Sequence, residues 1–191
     1  MKPQNRIASV TGCDSSIGAD TAKESRQLDG PDQLRIAGRL LSRLFATTPL
    51  TSVLVARIVL AGVMLPHGAQ KLLGWFGGYG FTGTMNFFTA TMHIPWVCAL
   101  AAILAESVGA IALLTGLGTR LAAAAIAANM VVALLTSHLG NGFFMNWFGN
   151  QKGEGFEYHL LAIGLTLVLM IQGGGRWSAD GWITRHSNST R

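Results

Sequence analysis

Three long stretches of the chain contain no Asp, Glu, Lys or Arg: Leu72 to Ala105, Leu121 to Gln151 and Tyr158 to Gly175. Hydrocarbon demands such segments, because a charge at bilayer depth is costly and nothing there can solvate it. Only 12% of the residues are charged and half are apolar, against about 25% charged in an ordinary soluble domain. A chain of 191 residues with this much lipid-suited sequence has room for one bundle of membrane spans and no separate catalytic domain. The predicted fold is all-α: an integral membrane four-helix bundle.

Turn signals and periodicity set the expected boundaries. Residues 1–31 are polar, mixed in charge and without apolar periodicity, which predicts a disordered tail; the stretch lacks a secretory apolar region. Its Gly12-Cys13-Asp14-Ser15-Ser16-Ile17-Gly18 run has neither the lysine nor the preceding strand of a phosphate loop. Over residues 32–46, Ile36, Leu40, Leu41 and Leu44 recur at helical spacing while Arg35, Arg39 and Arg43 share another face. That pattern predicts a basic amphipathic helix on an anionic leaflet, or one that binds a partner. The bundle is expected over 52–172, with spans from about Ser52 to Gly74, Ile94 to Thr115, Thr119 to His138 and Phe156 to Ile171, followed by a C-terminal tail at 173–191. Gly116 and Gly118 shorten the second turn, so the second and third spans form an antiparallel hairpin. The loops Trp75 to His93 and Leu139 to Gly155, rich in Gly and aromatics, are expected at headgroup level, folding back to lid the bundle.

Fourteen Lys and Arg against nine Asp and Glu give a net charge of +5. The basic residues flank apolar spans, so they read as an orientation signal and not as a nucleic-acid surface. Arg35, Arg39, Arg43, Arg120, Arg176 and Arg185 fall on one side and Lys152 on the other, which predicts both termini in the cytoplasm. The two cysteines, Cys13 and Cys98, form no C-x-x-C. This weighs against a dithiol membrane oxidoreductase.

Ionisable groups inside spans need a partner or a purpose. Arg57, His67 and Lys71 lie within an arc of about 80° on the first span. Counting rise from the cytoplasmic side puts Arg57 about 8 Å deep, and counting from the other side puts Glu106, on the second span, about 12 Å from the cytoplasm; the two are expected to form a buried, structural ion pair. Lys71, His138 and Glu157 reach the outer third, with His67 one turn deeper, and together predict a polar pocket beneath the outer loops. His159 is about 160° around the helix from Glu157, so only one faces inward; the expectation is Glu157 inward and His159 interfacial. Pro66 should kink the first span and free the carbonyl of Gly62. Ala105-x-x-x-Gly109 and Ala123-x-x-x-Ala127 read as close-packing seams. The histidines carry no metal or haem motif.

The run from Arg57 to Lys71, ending His67-Gly68-x-x-Lys71, resembles the first-helix motif of the DoxX family of small bacterial membrane proteins. Glu106 with Gly109, the Gly116 to Arg120 turn, Glu157, and the closing Gly173-Gly174-Gly175-x-x-Ser178-x-Asp180 stretch are similar to the same family. The resemblance covers about Ser52 to Trp182. It implies a four-helix inner-membrane protein, with relatives that are small subunits of a thiosulfate to quinone oxidoreductase or that associate with superoxide dismutase and a thiol-handling protein in oxidative-stress defence. The long basic N-terminal segment is unlike the minimal family pattern and leaves room for a soluble redox partner. Two readings follow. One is a redox-linked subunit whose outer pocket holds a quinone or a small anionic sulfur species, with Lys71 and His67 on an anionic oxygen, His138 lining the site and Glu157 exchanging protons. The other is a noncatalytic membrane anchor or assembly factor. A third, transport, requires a homo-oligomer, since four spans without an inverted repeat do not enclose a pathway in one copy.

Overall fold

The structure, a computed structural model, describes residues 35, 36, 38, 39 and 43–189, with side chains through residue 186. The chain divides into two compact units, residues 1–39 and 40–191. In the first, the described residues Arg35, Ile36, Gly38 and Arg39 are helical; the expected tail at 1–31 lies outside the described residues. In the second, residues 43–45 are helical and the chain then runs without regular structure to Leu50.

Helix α1 spans Thr51–Leu73 and ends on Gly74, whose φ of 75° supplies the left-handed turn that stops a helix. Helix α2, Gly80–Asn86, continues through a π-helical turn at Phe87–Thr91. Helix α3, Trp96–Thr115, begins after Pro95 and ends on left-handed Gly116. Helix α4, Thr119–Ala133, continues through a π turn, Leu134–His138, and a 3-10 turn, Leu139–Asn141. Helix α5 spans Glu157–Gln172 and α6 Ala179–Ser189. Helix α2 is a difference from the sequence reading, which had a loop there. Gly80, Gly83 and two threonines give it weak local propensity, and packing supports it instead: Met85 is buried with Ala99 and Ile103 of α3.

The described residues are helical with no strand. Three helical stretches are long and apolar enough to cross a membrane: Thr51–Leu73, Trp96–Thr115 and Thr119–Asn141. Helix α5 is apolar but shorter, at 16 residues. Apolar side chains lie on both sides of these helices. Leu60, Met64, Leu113, Ile126 and Leu169 fill the centre, while Val55, Val97, Val108, Leu121, Leu161 and Ile171 are exposed. A surface of this kind suits hydrocarbon, where burying an apolar residue gains little and close packing of small residues holds helices together. Gly68 marks the tightest seam: a Cβ there would lie 2.6 Å from Ser107 Cα. At Gly109 a Cβ would make only ordinary contact with Ile126 of α4, at 3.5 Å, so that seam does not depend on glycine as Gly68 does.

At the end of the bundle where α1 begins and α5 ends, residues 173–186 pack onto the helices instead of trailing from them. The Asp180 carboxylate caps α4, accepting from the Gly118 N–H at 2.7 Å and the Thr119 N–H at 2.9 Å, while its own N–H donates to Gly116 O at 3.0 Å. A carboxylate on the first free N–H groups of a helix satisfies orphan donors and the positive end of the dipole together. Thr47 Oγ1 accepts from Gly175 N–H at 2.7 Å, tying the entrance of α1 to the same roof. Asp180→Ala is therefore expected to cost about 1–2 kcal/mol, read as a lowered thermal midpoint in detergent. An unchanged midpoint would remove the cap from the account.

Candidate functional site

Lys71 closes the last turn of α1, where a cation meets the negative end of the helix dipole. One turn earlier, Gly68 lets the α3 backbone come in at Glu106 and Ser107. Lys71 Nζ consequently donates to Glu106 Oε2 in an ion pair, and Asn129 Nδ2 of α4 donates to Glu106 Oε1 at 2.7 Å. Glu106 is 4% exposed, so three helices converge on one buried carboxylate.

Above this group lies a cavity of about 660 Å³ between α3 and α4. Alanines 101, 105, 125 and 128 leave the space open, and Phe87, Phe88 and Met92 of the π turn roof it. Lys71, Glu106 and Asn129 form its polar floor, with Thr136, Ser137 and His138 at the rim. Cys98, a free and exposed thiol, also lines it. A second cavity, about 300 Å³, sits on α1 and α3 beside Pro66, Trp75 and Phe76 and has no ionisable lining group.

Beside the larger cavity runs a row of rings. His138 Nδ1 is 2.9 Å from Glu154 O. The His138 ring centroid is 4.1 Å from that of His159, which is 6% exposed and has no partner for its Nδ1. Tyr158 follows, its ring 5.4 Å from His159 and 6.0 Å from His67, and its hydroxyl is also without a partner. His67 itself is exposed on α1.

Three expectations are corrected here. Arg57 does not pair with Glu106: its Nη2 donates to Trp177 O at 3.2 Å, and the carboxylate whose field reaches it is Asp180. The depth count rose along α1 from one face and along α3 from the other, and so assumed that both helices fill the same thickness. A Cβ on Gly116, at the end of α3, would fall on the Arg57 guanidinium, so α3 ends level with Arg57 and Glu106 lies about 15 Å further along, beside Gly68. Lys71, expected with Glu157, is the partner Glu106 takes. The third correction exchanges Glu157 and His159. Glu157 Oε1 accepts from the Met145 N–H at 3.2 Å and holds the loop, whereas His159 is the residue turned inward.

Of the residues singled out by sequence, the structure brings Lys71, Glu106 and His138 together around one cavity and leaves Arg57, His67 and Glu157 off its walls. Asn129, Tyr158 and His159 are additions. Asn129 carried a usable signal, being the sole carboxamide in Thr119–Ala133. Among the described residues, no three or more His, Cys, Asp or Glu gather in a metal-binding arrangement. The family model described as DoxX matches residues 52–139, a stretch that contains the whole floor of the cavity. No curated protein and no solved structure matches the chain.

Proposed function

From the match of residues 52–139 to the DoxX family model, we propose that the chain is a redox-linked membrane subunit of that family whose α3–α4 cavity takes the head of a quinone-type molecule from the bilayer. The observation that carries this reading is the charged floor, Lys71 with Glu106, at the bottom of an otherwise apolar cavity of about 660 Å³. That volume lies within the roughly 300–1,000 Å³ usual for small-molecule sites, where a few convergent polar groups orient a largely apolar ligand. The Lys71 ammonium would donate to a quinone oxygen, Glu106 would accept from a quinol hydroxyl, and His138 at the rim would exchange protons with either. His67, exposed beside Tyr158, and Glu157, holding the loop, stand outside the ligand in this arrangement.

The same reading places the protein in the bacterial inner membrane with both termini cytoplasmic. Arg120, Arg176 and Arg185 at the terminal end, against Lys152 at the loop end, support that orientation. Helix α5 is the fourth span; its 16 residues reach about 24 Å, and the Phe156 and Gly173 approaches extend it. A soluble redox protein would exchange electrons with the bound molecule.

The test is direct. The purified protein in lipid nanodiscs is extracted for bound quinone and titrated with a short-chain benzoquinone, with alkylation of Cys98 by a permeant maleimide as readout. Occupancy of the cavity is expected to slow Cys98 alkylation at least fivefold in the parent, and the folded K71M/E106Q variant is expected to need at least tenfold more ligand for the same protection. A folded parent that carries no quinone and gains no protection overturns the proposal in favour of a noncatalytic anchor. One observation favours that second reading: both Glu106 oxygens already have protein partners, as a purely structural charge would.

A further inference from the structure

We propose that His138, His159 and Tyr158 form a proton-transfer row leading from the loop end of the bundle to the buried Lys71–Glu106 pair. Two observations carry it. The rings follow one another at 4.1 Å and 5.4 Å between centroids, with no direct hydrogen bond between them, so each step runs through a bridging water. The inner two members also present buried polar atoms, His159 Nδ1 and Tyr158 Oη, that no protein group satisfies. An unsatisfied donor or acceptor inside a membrane bundle is costly, and two side by side behind an imidazole at the rim are arranged as a relay is.

The groups facing this row come from every neighbouring element. His138 comes from α4, Glu157 lies on α5 with the row itself, His67 and Lys71 come from α1, Glu106 from α3, and Glu154 from the loop through its carbonyl. A carbonyl only accepts, so in neutral His138 the proton sits on Nδ1 and Nε2 is the basic nitrogen. A proton taken up at Nε2 of His138 leaves its ring for His159, His159 passes one to the Tyr158 oxygen, and Tyr158 releases its own toward α1, where the His67 ring lies 6.0 Å away and Lys71, paired with Glu106, is one turn further on. The net change is one proton moved inward from the loop end, with no electron transferred; a histidine that takes its proton on one nitrogen and gives it from the other is left as the opposite tautomer until the ring turns over. The purpose of the row rests on the cavity reading: a quinone that accepts two electrons from a redox partner also needs two protons, and Glu106 is the floor group that would hand them on.

Histidine ring exchange tests the row without any redox assay. With nitrogen-15-labelled histidine in nanodiscs, the His159 ring N–H is expected to exchange with water far faster than a sequestered imidazole. His138→Phe keeps a ring in place but cannot carry a proton; it is expected to slow His159 exchange at least tenfold with unchanged elution and thermal midpoint. Tyr158→Phe, further along, is expected to leave His159 exchange within twofold of the parent. Slow exchange in the parent, no effect of His138→Phe, or equal slowing by Tyr158→Phe each overturns the row. Short-chain benzoquinone binding is measured on the same samples. Binding with slow exchange sinks the row and leaves the cavity reading; fast exchange without binding does the reverse.

Discussion

Lys71→Ala is expected to lower stability by about 3 kcal/mol, the lower end of the range for removing one member of a buried ion pair. The lower end applies because the Lys71 side chain keeps 26% of its exposure, whereas that of Glu106 keeps 6%. The cost arises mainly from the carboxylate left behind, which would keep Asn129 and lose its only counter-charge in contact. Replacing both partners, as in K71M/E106Q, removes the stranded charge and is expected to recover most of the loss. Urea does not report well on such a bundle, so the measurement is a thermal or SDS unfolding midpoint by tryptophan fluorescence for the parent, both single variants and the double. A double variant as unstable as Lys71→Ala would mean that the pair contributes favourable binding energy of its own and is not merely two charges neutralising one another.

Gly68→Val is the second large effect. Its Cβ would meet the backbone of Glu106 and Ser107, and backbone cannot swing aside as the tip of a side chain can. The α1–α3 seam must open, at a cost of about 3 kcal/mol or more, and Lys71 moves away from Glu106 with it. Gly62→Val on the same helix, where a Cβ meets nothing within 4 Å, is the control and is expected to stay within about 0.5 kcal/mol of the parent. The comparison is read as the difference in unfolding midpoint and in Cys98 protection by a short-chain benzoquinone. Equal behaviour of the two variants would show that the seam tolerates widening.

The helices were legible because several independent signals agree on their ends. Uncharged runs give their extent, and Gly74, Pro95, Gly116 and Gly118 punctuate them. Helix α2 was illegible for the opposite reason: its sequence disfavours a helix locally and only burial of Met85 against α3 sustains it. At the site, sequence named the ionisable residues but mispaired them. Rise per residue gives a position along one helix; it gives no register between two, and that register is fixed by where Gly68 and Gly116 allow contact. The Glu157 and His159 exchange has a similar origin. Angular spacing says that the two diverge, and the loop N–H of Met145, a tertiary partner, decides which one leaves the interior.

The carboxylate that finishes α4 stands 62 residues downstream of the first N–H it receives. During synthesis, the α3–α4 hairpin therefore keeps an open end until the segment after α5 has been made. A chain cut short before Asp180 would keep the three stretches long and apolar enough to cross a membrane and leave the Gly118 and Thr119 N–H groups without this carboxylate, so the integrity of the hairpin end reports on a segment remote from it in sequence.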